Sequence, residues 1–226
     1  MLDKESDMYQ QIERRPIKAR SARWPLKMAT TLVCIGITPN QVSVLSTIFA
    51  LIGAVLYLVS AQVSGTGVIL SFFGAAVCIQ LRLLCNMLDG LMAVECDRVS
   101  KYGDLFNELP DRISDVLLLV AAGYAAKSGE LGITLGWSAA LLAVTTAYLR
   151  AFGARYLKVQ DYSGPMAKPH RMFALTVGSA LTCLQYLYSG QVSMILLTLV
   201  ILAVGTAITC IKRTVRIAQT LEREPC

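Results

Sequence analysis

The sequence predicts an all-α integral membrane protein, with six transmembrane helices preceded by a cytoplasmic interfacial helix. Three observations carry that expectation. Apolar residues fill 55% of the 226 positions and mean hydropathy is +0.56, more than a soluble domain of this size needs for its core. They gather into runs of about twenty, the length that crosses a bilayer as helix. The formal charge of +6 is segregated to alternate connections between those runs.

The runs fall at 42–60, 67–94, 103–126, 133–156, 172–189 and 192–211. Lys4, Arg14, Arg15, Lys18, Arg20, Arg23 and Lys27 precede the first, and Arg98 and Lys101 separate the second from the third. Arg150, Arg155, Lys158, Lys168 and Arg171 surround the connection between the fourth and fifth, and Lys212, Arg213, Arg216 and Arg223 follow the sixth. The opposite connections hold Lys127 alone. By the positive-inside rule both termini and the 94–102 and 157–171 connections face the cytoplasm, and an even number of spans agrees. The expected organisation is a cytoplasmic N-terminal segment with the interfacial helix (1–36), a six-helix transmembrane domain (37–217) and a cytoplasmic tail (218–226). Basic charge so placed reads as membrane-surface and phosphate contact rather than nucleic-acid binding.

In chain order, residues 1–23 are mixed in charge, and their first part is expected to be loosely ordered. From Trp24 the text is WPLKMATTLVCIGI. Pro25 suits a first helical turn, and Trp24 and Lys27 suit the headgroup boundary, so this stretch reads as the interfacial helix. Thr38-Pro39-Asn40-Gln41-Val42-Ser43 is helix-start chemistry leading into span one, whose small residues permit close helix packing. Span two begins apolar and turns polar at Arg82. Span three begins polar and turns apolar, with Pro110 inside its helical pattern. Their polar ends meet at one cytoplasmic boundary. Span four ends near Arg150, and the loop that follows carries the lone His170, read as a solvated residue. Spans five and six are apolar, with Tyr186 and Tyr188 at the far interface. The seven cysteines show no CxxC and no metal-ligand spacing, and several lie in apolar runs as small hydrophobes.

Charge inside a membrane segment is expensive and marks function. On a helix, Arg82, Asn86, Asp89 and Ala93 form one narrow stripe. Asn107 and Asp111 repeat the one-turn spacing on the next span, with Asp104, Glu108 and Asp115 on neighbouring positions. Two helices facing each other here would gather carboxylates and carboxamides at one depth. That combination suits hard cations and phosphate oxygens.

The same stretch resembles the signature of the CDP-alcohol phosphatidyltransferase family, D-x-x-D-G-x-x-A-R, a short spacer, then G-x-x-x-D-x-x-x-D. Here it reads N-M-L-D-G-L-M-A-V, the eight-residue spacer ECDRVSKY, then G-D-L-F-N-E-L-P-D. Asp89, Gly90, Ala93, Gly103 and Asp111 stand at motif positions. Asn86 and Asn107 replace the first and third aspartates, and Val94 the arginine, so the similarity is to a divergent bacterial branch. The resemblance implies transfer of a phosphatidyl-type group from a CDP-alcohol, with CDP-diacylglycerol the expected donor, to a hydroxyl acceptor. CMP would be released, in phospholipid biosynthesis. It implies one or two Mg²⁺ or Mn²⁺ ions held by Asn86, Asp89, Asn107 and Asp111, with Asp111 also the catalytic base. Asp89, Gly90, Ala93 and Gly103 would contact the nucleotide. The two asparagines keep carbonyl oxygens but remove charge, which weakens divalent binding and makes a single ion the economical arrangement.

Arg150, Arg155, Lys168 and Arg171 either surround an anionic acceptor, a phosphorylated polyol rather than serine or choline, or simply obey the positive-inside rule. The resemblance also implies a homodimer among membrane lipids in a bacterial inner membrane, with the active site cytoplasmic. Two other readings stay open. One is an impaired family member that binds lipid or nucleotide. The other is a small transporter, against which the charges crowd one interface.

Overall fold

The computed structural model describes residues 23–95, 103–157 and 163–222. Among them are seven helices: α1 (Arg23–Cys34), α2 (Pro39–Gln62), α3 (Thr66–Glu95), α4 (Gly103–Ala125), α5 (Glu130–Leu157), α6 (Lys168–Ser189) and α7 (Ser193–Leu221). The expected disorder at the N-terminus and the connections at 96–102 and 158–162 lie outside the described residues. By length and composition α2, α3, α5 and α7 can each cross a membrane. Helices α4 and α6 open on polar turns and become apolar only further along.

Local chemistry sets the boundaries. Thr38 caps α2: its hydroxyl accepts from the Gln41 N–H, and the Thr38 N–H donates to Gln41 Oε1 at 2.8 Å, with Pro39 in the first turn. Two limits differ from the sequence expectation. Helix α6 starts at Lys168, ahead of its apolar run, because Pro169 sits in the first turn, where no backbone N–H is required. Lys168, His170 and Arg171 are therefore helical residues rather than loop residues. Helix α7 continues past 217 to Leu221, since Cys210, Arg213 and Ile217 keep one face buried at helical spacing.

Helices α2 to α7 close into a ring. The packed neighbours are α3 with α2, α2 with α4, α4 with α5, α5 with α7, α7 with α6, and α6 with α3. Helix α1 lies outside against α3, its Ala29 buried beside Val42, Cys85 and Met92 while Trp24, Leu26 and Met28 stay exposed. Tyr57, Phe72, Ile79, Leu118, Met172 and Leu199 fill the interior. The outer faces carry Leu51, Leu70, Phe73, Leu141 and Leu187 in the open. So continuous an apolar exterior suits hydrocarbon rather than water, and the chain is an integral membrane protein.

Candidate active site

The start of α2, the end of α3, the start of α4, the end of α5, the start of α6 and the later part of α7 meet at one end of the ring. Asp115 of α4, 1% exposed, is the centre of the charge network there. Its Oδ1 accepts from Arg82 of α3 and its Oδ2 from Arg171 of α6, each at 2.8 Å. Arg82 also donates to the Asp111 carbonyl at 3.1 Å and approaches Met172 Sδ at 2.9 Å. Arg171 donates further to Thr146 Oγ1 at 3.2 Å and the Met166 carbonyl at 3.0 Å. Buried charge persists only when paired in this way.

One turn earlier on α4, Asp111 accepts from two further donors. Its Oδ1 takes the Asn86 amide at 2.7 Å, with Arg82 3.5 Å away, and its Oδ2 pairs with the Lys168 ammonium. Asp89, on the next turn of α3 from Asn86, is 4% exposed. Its Oδ2 accepts from Ser43 Oγ at 2.6 Å, while its buried Oδ1 has no hydrogen-bond partner among the described residues. Asp89 lies within electrostatic reach of both Asp111 and Lys168. The polar ends of α3 and α4 thus converge, with Asp89 and Asp111 facing one interior.

Lys168 is seated by a loop pinned to α7. Arg213 Nε donates to the Ser163 carbonyl at 3.1 Å, and its NH1 to the Thr146 carbonyl at 2.6 Å. The Met166 N–H donates to Thr209 Oγ1 at 3.1 Å. Gly164 has φ +119° and lies against Thr209, where a side chain would collide.

Gly90 and Ala93 follow Asp89 on α3 and are half-buried. Gly103 is the first residue of α4; Asn107 is on the same helix, but its side chain lies outside the described residues. The four basic residues differ in their partners. Lys168 stands on Asp111, Arg171 on Asp115, and Arg150 on Glu108, which Arg112 also holds; Arg155 is exposed. Sequence reasoning missed Ser43, Thr209 and Arg213. Ser43 had one signal, its place at the same end of span one as the motif.

Among the described residues no three His, Cys, Asp or Glu side chains gather as a metal group. Oxygen donors are nevertheless present: Asp89, Asp111 and the Asn86 carbonyl. An all-oxygen set suits Mg²⁺ or Mn²⁺, and Asp89 Oδ1 has lone pairs to offer.

Residues 36–211 match the CDP-alcohol phosphatidyltransferase family, from ahead of α2 into α7 and across both carboxylates. The chain belongs to that family. It is 24% identical over 135 residues to inner membrane protein YnbA of Escherichia coli (strain K12), covering 60% of this chain and 63%, under two thirds, of YnbA. It is 26% identical over 184 residues to the phosphatidylinositol phosphate synthase of Mycolicibacterium smegmatis, covering 79% of this chain and 76% of that one. The fold is shared with the phosphatidylinositol phosphate synthase PgsA1 of Mycobacterium tuberculosis, crystallised with CDP-DAG bound: TM-score 0.73 at 21% identity, covering 91% of this chain and all of that one. A second crystal structure of PgsA1, in complex with manganese and citrate, aligns at TM-score 0.72 and 20% identity over 89% of this chain and 93% of that one.

Proposed function

We propose that this family member transfers a phosphatidyl-type group from CDP-diacylglycerol to a hydroxyl acceptor, releasing CMP. The observation that supports the reading is the placing of Asp89 and Asp111 at one end of the ring, with Asn86 bonded to Asp111 and one side-chain oxygen of Asp89 without a hydrogen-bond partner among the described residues. That oxygen, the Asn86 carbonyl, Asp111 and Asn107 are the residues to hold a divalent ion. Such an ion, when bound, draws charge from a diphosphate and makes CMP a better leaving group.

Asp111 takes the proton of the acceptor hydroxyl as that oxygen attacks phosphorus and the bond to CMP breaks. Gly90, Ala93 and Gly103, lacking bulk beside Asp89, let the nucleotide lie against α3 and α4. Lys168, Arg150 and Arg155 place positive charge at this end for a phosphorylated polyol, an acceptor class also suggested by the named activity of the mycobacterial relatives. Arg171 supports that charge from within, through Asp115. Six spans with the site and both termini cytoplasmic, in a homodimer, complete the proposal.

A binding-only relative is favoured by one observation, the capping of both Asp111 oxygens by Asn86 and Lys168. Purified protein, CDP-diacylglycerol, Mg²⁺ or Mn²⁺ and a panel of inositol phosphate, glycerol phosphate and serine separate the two. CMP release should require the metal and a phosphorylated polyol, and should fall about 10²–10⁴-fold in Asp111→Asn. Silence with every acceptor would favour the binding-only reading, and full turnover by Asp111→Asn would remove the base assignment.

A further inference from the structure

We propose that Lys168 is a resident cation of this site, paired with Asp111, so that the protein takes a single divalent ion from the Asp89 side. The inference rests on the proposed reading that the site binds a divalent ion and a diphosphate.

The first support is charge. Asp111 and Asp115 pair with Arg82, Arg171 and Lys168, Asp89 lies within electrostatic reach of Lys168, and buried Arg213 shares Thr146 with Arg171, so the carboxylates here are already matched by positive charge. One divalent ion then supplies the positive charge that a diphosphate neutralises. A second would leave an excess in a poorly solvated site, which is costly.

The second support is the direction of the bonds on Asp111. A carboxylate only accepts, so the Asn86 side chain must present its amide nitrogen there. An aspartate at position 86 would offer no such donor and would repel Asp111. Asn86 and Lys168 therefore act together, the amide on one oxygen and the ammonium on the other. Asp89 differs: among the described residues its one side-chain partner is Ser43, and no side chain or ammonium caps its Oδ1.

The third support is the position of Lys168 itself. It is the first residue of α6, a helix with no acidic residue in its first turn. Positive charge at a helix N-terminus opposes the helix dipole, so the lysine does not serve its own helix. The bond that Arg213 donates to the preceding loop and the one that Thr209 accepts from it fix where it starts. Its side chain is 23% exposed against 10% for Asp111, so the pair lies at the margin of the buried interior while Lys168 holds the carboxylate.

Mn²⁺ binding to the full chain in detergent, read by equilibrium dialysis and by the electron paramagnetic resonance of free Mn²⁺, tests the proposal without turnover. The unaltered protein should bind about one Mn²⁺ per chain, and Asp89→Asn should lose it. Lys168→Met should tighten Mn²⁺ at least about tenfold, because a like charge is removed. Lys168→Met with Asn86→Asp should admit a second ion, whereas Lys168→Arg should keep one. Two ions in the unaltered protein, or Mn²⁺ affinity in Lys168→Met unchanged from it, would overturn the proposal. Should Lys168→Met fail to fold, the stoichiometry of the unaltered protein and of Lys168→Arg decides. CMP release measured alongside separates the two readings: two ions with release intact sinks this inference alone, and neither ion nor release sinks both.

Discussion

The two ends of the helix ring are held by different forces. At the motif end, helices communicate through long charged side chains, and α3 reaches α4 by way of Arg82 and Asn86. At the far end α4 and α5 touch almost without side chains. A Cβ on Gly136 would lie 2.9 Å from both Gly123 Cα and the Leu119 carbonyl. Nearby, Tyr57 bonds Ser179 at 2.5 Å and meets Phe72 edge to face at 5.7 Å, and the Gly65 N–H donates to the Tyr186 hydroxyl at 3.0 Å. Close contact fixes the helix spacing at that end and accepts no added volume. The charged end needs room between its helices, and electrostatic pairing stabilises what would otherwise be a gap. Rigidity and chemistry are thus assigned to opposite ends of the same helices.

Breaking the charged end should cost most. Asp115→Ala strands Arg171 without a counter-charge and leaves Arg82 only its longer approach to Asp111, and stability should fall by about 3–5 kcal/mol. Thermal unfolding in detergent measures this, and adding Arg171→Met should recover part of the loss. Recovery of nothing would mean that Asp115 acts through packing rather than charge. Breaking the contact end should cost less: Gly136→Val forces α4 and α5 apart at about 1–3 kcal/mol. If the two ends are independent, Mn²⁺ affinity of the surviving folded protein stays unchanged; a parallel fall would show that far-end spacing sets the site. The smallest effect should come from Tyr57→Phe. Ser179 keeps its bond to the Leu175 carbonyl at 2.9 Å, so only one hydrogen bond is lost, worth about 1 kcal/mol by the same unfolding measurement.

The sequence carried the frame of this molecule well, for a physical reason. Apolar runs of this length have little alternative to helix, and the structure places each of the six in a helix, with only Ala126 and Val192 falling one residue outside. The convergence of Asp89 and Asp111 was legible too, because polar residues at helical spacing on consecutive spans must turn toward each other or toward lipid. What covers them was not legible. Ser43 reaches Asp89 across 46 positions and Lys168 reaches Asp111 across 57, and no local pattern encodes either meeting. Arg171 shows the same limit from another side. The positive-inside rule counts charges in a connection and says nothing about which way each side chain turns. Arg171 turned inward to Asp115, and Arg155 outward. The early start of α6 was hidden because hydropathy cannot see a polar turn folded against an interior carboxylate.

Helix α7 has one further consequence. Its apolar run ends well before its last turn, and Arg213, just past that run, holds the carbonyls of Ser163 and Thr146 together. The length of chain a bilayer requires is therefore shorter than the length the chemistry requires. A protein trimmed to its greasy residues would still insert, yet the strap carrying Lys168 would have lost its anchor.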